Sequence, residues 1–142
     1  TALSDIYTLG ELRELGAPEI AQTEKQDVIT YSKETLSALL KGNEPVFVEM
    51  TAAWCITCKV NETAVLNTKP IKELFKEKNV QLVVGDWTNR NAAITEYLDA
   101  FKRNGVPLYV YYGPRDADTN ARPEPFILPQ ILTQAGVKDA LK

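Results

Sequence analysis

Cys55-Ile56-Thr57-Cys58 sets two thiols three positions apart, directly after Trp54 and at the end of an apolar, strand-like run. At the start of a helix, two thiols at that spacing can close into a disulfide and reopen while the surrounding fold stays the same. They are the only two cysteines among 142 residues, so neither has another partner within the chain. The chemistry this pattern points to is electron exchange between dithiols and disulfides. A helix start also suits a nucleophilic sulfur, because unsatisfied backbone N–H groups and the positive end of the helix dipole favour the thiolate, lowering its pKa from about 8.5. Cys55 is therefore the expected nucleophile, and Cys58, one turn deeper, the shielded resolving thiol. The competing reading is a static structural disulfide, or two buried thiols.

Composition removes several other chemistries. Histidine is absent, which excludes Ser-His-Asp and Cys-His catalysis and removes the commonest zinc ligand. Two cysteines alone make a poor zinc site and too few staples for a small disulfide-held scaffold. With 16 basic and 19 acidic residues the formal charge is −3, and no long run of one sign occurs. Nucleic-acid binding has no electrostatic footprint here, and an anionic membrane surface would gain little. A content of 44% hydrophobic and 25% charged residues is ordinary for a globular protein, and the length suits one domain with a real core. No stretch approaches the roughly 20 apolar residues of a membrane span. Thr1–Gly10 lacks a signal-peptide pattern, and a start without Met reads as a mature or excised fragment.

The elements that must position the thiols follow from periodicity. Residues 1–26 are polar, with Gly10, Gly16 and Pro18 interrupting Leu9, Leu12 and Leu15, and read as an arm or linker. The domain itself is expected over 27–142. Val28-Ile29-Thr30-Tyr31 is β-rich, Ser32 offers an N-cap for a helix through Leu36, Leu39 and Leu40, and Gly42 stops it. Pro45 opens Val46-Phe47-Val48-Glu49-Met50-Thr51, whose near-continuous apolar character fits a central strand buried on both faces. A helix is expected from about Cys55 to Leu66, with a restart at Pro70 through Ile71, Leu74 and Phe75. Val80–Val84 is the next strand. Thr88 or Asn89 is the expected cap of a helix whose Ile94, Tyr97, Leu98 and Phe101 mark one face, ending at Asn104-Gly105. Pro107–Tyr112 reads as a strand, Gly113–Pro125 as a long exposed turn, Phe126–Leu128 as a return strand, and the last helix as running from Pro129 towards Leu141. Alternation in the first half predicts parallel pairing and the last two strands a hairpin. The expected fold is α/β: a central mixed sheet with helices on both faces and the cysteines where the central strand meets a helix.

Two carboxylates belong to the same neighbourhood. Cys55, Cys58, Glu62 and Val65 fall at i, i+3, i+7 and i+10, a single helical stripe, and Glu49 lies on the strand feeding the site. If both converge beneath the thiols, their charge opposes the helix dipole and keeps Cys55 protonated, with Glu49 as proton carrier. The alternative leaves Glu62 on water at a helix edge and Glu49 in solvent at a strand end. Trp54 is read as packing at the rim of the site rather than filling core. For Trp87 a partner-facing role and a packing role stand level, and Tyr109, Tyr111 and Tyr112 read as sheet packing.

Trp54-Cys55-Ile56-Thr57-Cys58-Lys59 together with Val106-Pro107 resembles the thioredoxin fold. The run from Phe47 to Cys55, with Cys58, Lys59 and Glu62, is similar to the C-terminal periplasmic domain of the DsbD family of bacterial inner-membrane thiol:disulfide interchange proteins. Gly85-Asp86-Trp87-Thr88 and Gly105-Val106-Pro107-Leu108-Tyr109 resemble a branch of it that includes the ScsB-type copper-tolerance proteins. The resemblance spans about Asp27 to Lys142. Ala53 stands where many relatives carry Asp, and Ile56-Thr57 replaces the Gly-Pro of ordinary thioredoxin.

The resemblance implies a thioredoxin-like fold with a cis peptide at Val106-Pro107 facing the thiols, and acidic site positions at Glu49 and Glu62. It implies a protein-disulfide reductase of the bacterial periplasm, within an inner-membrane protein. Electrons would come from a transmembrane domain and pass to an N-terminal periplasmic domain or another periplasmic thiol protein. Trp54, Ile56, Thr57, Val106 and Pro107 would meet the partner, the Val106 backbone pairing with a docked segment like an added strand. No bound cofactor is required, since the electrons travel in the sulfurs. The rivals are a soluble periplasmic thioredoxin-like protein for cytochrome c maturation, a copper- or zinc-binding module using both cysteines as soft ligands, and a redox-dead interaction domain.

Overall fold

The computed structural model describes residues 28–142, so the arm expected over 1–26 lies outside the described residues. Five strands form one mixed sheet in the order β1-β3-β2-β4-β5: β1 (Val28–Thr30), β2 (Val46–Thr51), β3 (Gln81–Asp86), β4 (Leu108–Tyr112) and β5 (Phe126–Ile127). β1 and β2 run parallel to β3, while β4 runs antiparallel to both β2 and β5. The helices are α1 (Lys33–Lys41), α2 (Ile56–Asn61), α3 (Lys69–Glu77), α4 (Ala92–Ala100) and α5 (Gln134–Ala140), and a π-helical turn, Glu62–Leu66, continues α2.

β2 is the centre of the molecule. All six of its residues are buried, as its apolar run requires. Side chains alternate across a strand, so Val46, Val48 and Met50 pack with Leu36 of α1 and Ile94, Tyr97 and Leu98 of α4. Phe47 faces the other way, into Val65, Leu66, Ile71, Phe75, Tyr109, Val137 and Leu141. The two layers cover both faces of the sheet. Gly85 of β3 lies where an added Cβ would run into the Met50 side chain, so the close approach needs glycine.

Several boundaries differ from the sequence expectation, each for a local reason. α1 starts as expected, with Ser32 Oγ accepting from Thr35 N at 3.0 Å. Neither Thr88 nor Asn89 caps α4. Asn91 precedes that helix, because Thr88 is engaged elsewhere. α4 stops at Ala100, ahead of Asn104-Gly105, where Lys102 takes a left-handed φ of 60°. The last helix begins at Gln134, capped by Thr133 Oγ1 accepting from Gly136 N at 2.9 Å, and not at Pro129. Residues 129–133 stay irregular because the Asn61 side chain holds Gln130 O and Leu132 N. The π turn closes with Asn67 N donating to Glu62 O at 2.7 Å, a local widening that periodicity could not show.

The turn after β4 is mostly exposed, as its composition predicts, yet two arginines fasten it to the end of α1. Arg122 donates to Leu40 O, Glu44 O, Gly113 O and Gly42 O, the last at 2.6 Å. Arg115 donates to Leu40 O at 2.6 Å, to Gly42 O and to Asn120 O. The carbonyls that a helix end leaves without partners are met by cationic side chains, which also suits the negative end of the dipole. Arg122→Ala should lower the urea midpoint by an amount equivalent to about 1–3 kcal/mol, the scale of hydrogen bonds from a charged donor. A midpoint equal to wild type would show that the turn does not depend on this anchor.

Candidate active site

The register of the sheet decides which loops meet. Thr51 lies beside Asp86, and Met50 beside Leu108. One edge therefore collects the segment after β2, the loop after β3 and the segment before β4, the carboxyl-end position where open α/β sheets keep their chemistry.

Cys55 is the N-cap of α2. Its N–H donates to Ala52 O at 3.1 Å, and its Sγ accepts from Cys58 N at 3.2 Å. The two sulfurs are joined in a disulfide, with Cα atoms 5.3 Å apart. Cys58 is fully buried and Cys55 is 7% exposed, so Cys55 alone can be reached from outside. Val106 packs against Ala52 and the two cysteines, and the Val106-Pro107 bond is cis. Pro107 itself is buried, Thr57 is half-buried and Ile56 is 79% exposed.

Glu49 is buried and not at a solvated strand end. Glu62 reaches back from the first position of the π turn, so the two carboxyls meet. Glu62 Oε2 accepts from Thr51 Oγ1 at 2.9 Å, and Oε1 lies 3.7 Å from Lys59 Nζ. Burial, then the hydrogen bond with Glu62 and its charge, push the Glu49 carboxyl up to about 8, with Lys59 opposing. Two carboxyls in such a pocket cannot both ionise cheaply, so near neutral pH Glu49 keeps its proton.

Trp54 is 47% exposed beside Cys55, its Nε1 donating to Thr88 O at 3.0 Å. Trp87 is buried, its Nε1 donating to Thr95 Oγ1 at 2.8 Å, so of the two roles held level for it the packing one is observed. Tyr109 is buried in the sheet as expected. Burial raises the pKa of its hydroxyl, which stays protonated and accepts from Asn61 Nδ2 at 2.9 Å.

Sequence reasoning missed Asn61. It sits one turn after Cys58, is 1% exposed, and ties α2 to Tyr109 and to the segment before α5. A polar residue three positions after a buried cysteine was the available signal. Its partners, 48 to 71 residues away, were not readable.

Residues 27–114 match the family model described as thioredoxin-like. No curated protein matches the chain in sequence. Among solved structures, a thioredoxin from Thermus thermophilus superposes with a TM-score of 0.62 at 17% identity, over 81% of this chain and 85% of that one. The oxidised C-terminal domain of Neisseria meningitidis DsbD superposes with a TM-score of 0.50 at 20% identity, over 70% and 85%. Mitochondrial thioredoxin 3 from Saccharomyces cerevisiae gives 0.53 at 13% identity, over 80% and 92%. At these identities the likeness is one of fold. That fold and the Cys55–Cys58 disulfide together suggest thiol–disulfide redox chemistry.

Glu49 gives the site a pH signature. Its folded-state pKa is raised from 4.5 to about 8, so the folded chain holds a proton that the unfolded chain releases between those values. The stabilisation is complete below the lower value and is lost as pH rises through the upper one. The urea midpoint of the oxidised protein should fall between about pH 5 and about pH 8.5, and Glu49→Gln should flatten that fall. An equally steep fall in the variant would contradict the assignment.

Proposed function

Because the chain belongs to the thioredoxin-like family, we propose that it is a protein-disulfide reductase domain working through the Cys55–Cys58 dithiol. Electrons arrive from a membrane-embedded partner domain and leave to disulfides of periplasmic proteins. The observation that carries the reading is the asymmetry of the pair: Cys55 caps α2 with its sulfur on a backbone N–H and is the only reachable thiol, while Cys58 is sealed behind it.

The reduced chain attacks with the Cys55 thiolate on one sulfur of a partner disulfide. That bond breaks, a mixed disulfide forms on Cys55, and the partner's other sulfur leaves as a thiolate that takes up a proton. In the fraction of molecules whose Glu49 has ionised, that carboxylate takes the Cys58 proton. The freed Cys58 thiolate attacks the Cys55 sulfur, so that the partner's second sulfur leaves as a thiolate and takes up a proton from water. The partner leaves with both sulfurs reduced, and Cys55–Cys58 is closed. Two electrons have moved to the partner, and a dithiol donor must restore the chain. A carboxyl whose pKa stands near 8 suits this shuttle, since it gains and loses a proton close to ambient pH. The membrane-embedded donor rests on the resemblance of the run from Phe47 to Cys55, with Cys58, Lys59 and Glu62, to the C-terminal domain of the DsbD family. The exposed Trp54 and Ile56 with Val106 support a docking rim around Cys55.

Two experiments test the reading. A reduced Cys58→Ala variant mixed with an oxidised protein substrate should accumulate a mixed disulfide at Cys55, visible by intact mass, and Cys55→Ala should form none. Absence of the adduct would remove the reductase reading. Titrating the Cys55 thiol in Glu49→Gln and Glu62→Gln should give a lower apparent pKa than wild type, because a nearby negative charge disfavours the thiolate. An unchanged value in both would take the carboxylates out of the mechanism.

A further inference from the structure

We propose that Thr88 is a positioning residue for the exchange reaction, holding the Trp54 indole where an incoming protein disulfide docks beside Cys55. The proposal rests on the thiol–disulfide exchange reading above and assigns a role to a residue outside the cysteine motif.

Thr88 follows β3 by two residues, at the edge where Asp86 lies beside Thr51. Its hydroxyl accepts from Ala53 N at 2.8 Å and donates to Asp86 Oδ1. Its N–H donates to the same Asp86 oxygen at 3.0 Å, and its carbonyl accepts from Trp54 Nε1 at 3.0 Å. All of its polar groups are thus committed, and two of the bonds reach the two residues that precede Cys55, across 34 and 35 positions of sequence. The direction of the hydroxyl is set as well: its proton goes to a carboxylate, which leaves a lone pair for the Ala53 N–H.

The same loop closes over the indole. Arg90, at a left-handed φ of 53°, lays its guanidinium 5.0 Å from the Trp54 ring centre and 5.5 Å from that of Trp87. Trp87 is itself immobilised by burial and by Thr95, and its ring centre lies 6.0 Å from that of Trp54. Trp54 is therefore held at its nitrogen edge and against two neighbours, while nearly half of its surface stays open to solvent. Tryptophan is the side chain most often found to dominate protein interfaces, and fixing it beforehand reduces the ordering cost of docking. On this proposal a protein disulfide docks against the indole on its way to Cys55, whereas a small disulfide does not need that contact.

The test compares two substrates. Thr88→Val removes at constant shape the hydroxyl whose bonds to Ala53 N and Asp86 fix the position of the Thr88 carbonyl that the Trp54 indole binds. With the reduced chain, its second-order rate on insulin disulfides should fall about tenfold, the scale of losing one well-formed interface anchor. Its rate on the small disulfide dithiobis-nitrobenzoate should stay within about twofold of wild type. Thr88→Ser should restore the insulin rate. The tryptophan fluorescence anisotropy, to which Trp54 and the buried Trp87 both contribute, should drop in the hydroxyl-less variant and not in the serine variant. Thr88→Ala, which removes the same hydroxyl, should show the same selective loss and serves if the valine variant does not fold. A wild-type insulin rate in the folded variant, an equal loss on both substrates, or no rescue by serine would overturn the assignment. A wild-type chain that reduces neither disulfide overturns the exchange reading itself, and this assignment with it.

Discussion

β2 is hydrogen-bonded along both edges and covered on both faces, so its backbone and the direction of every side chain on it are fixed by the sheet. Whatever follows Thr51 starts from an immobile point. Ala52, fully buried, turns the chain, and Cys55 becomes the cap of the next helix because its sulfur takes the backbone N–H of Cys58. The alternation that sends Phe47 into one core layer sends Glu49 into the same layer two residues on, and Thr51 after it. Strand geometry therefore forces a carboxyl into the interior directly ahead of the thiols.

Burying that carboxyl is tolerated because it is not alone and not charged. Glu62 arrives from the start of the π turn, Thr51 donates to Glu62, and Lys59 stands near its outer oxygen. An isolated ionised carboxylate at this depth would shift its equilibrium towards the neutral acid, which is the state the pair adopts for Glu49. The local widening of the helix at Glu62–Leu66 belongs to the same arrangement, since it follows directly after Asn61 has bonded Tyr109 and the chain before α5.

Much of the fold was legible in the sequence because burial on two faces, capping and helix-breaking leave local marks. The apolar run 46–51, Ser32 before α1 and Pro70 in the first turn of α3 all appear where their residue types place them. Two of the misread boundaries, the starts of α4 and α5, share one cause. Thr88 has the chemistry of a cap, but Ala53 and Asp86 compete for it; Pro129 can open a helix, but Asn61 holds the segment after it. A polar side chain with several possible partners is decided by whichever comes within reach in space, and sequence distance says nothing of that.

The sequence by itself determined that two thiols one helical turn apart follow a buried strand and that no histidine chemistry competes with them, because residue identity and spacing are enough for both. Only the tertiary structure decided which carboxyl keeps its proton, that Trp87 is core while Trp54 is rim, and that Thr88, Asn61 and Arg90 make contact with the segments around the cysteines. Those outcomes depend on depth from solvent and on contacts between segments remote in sequence, quantities that exist only once the sheet has brought its loops to one edge.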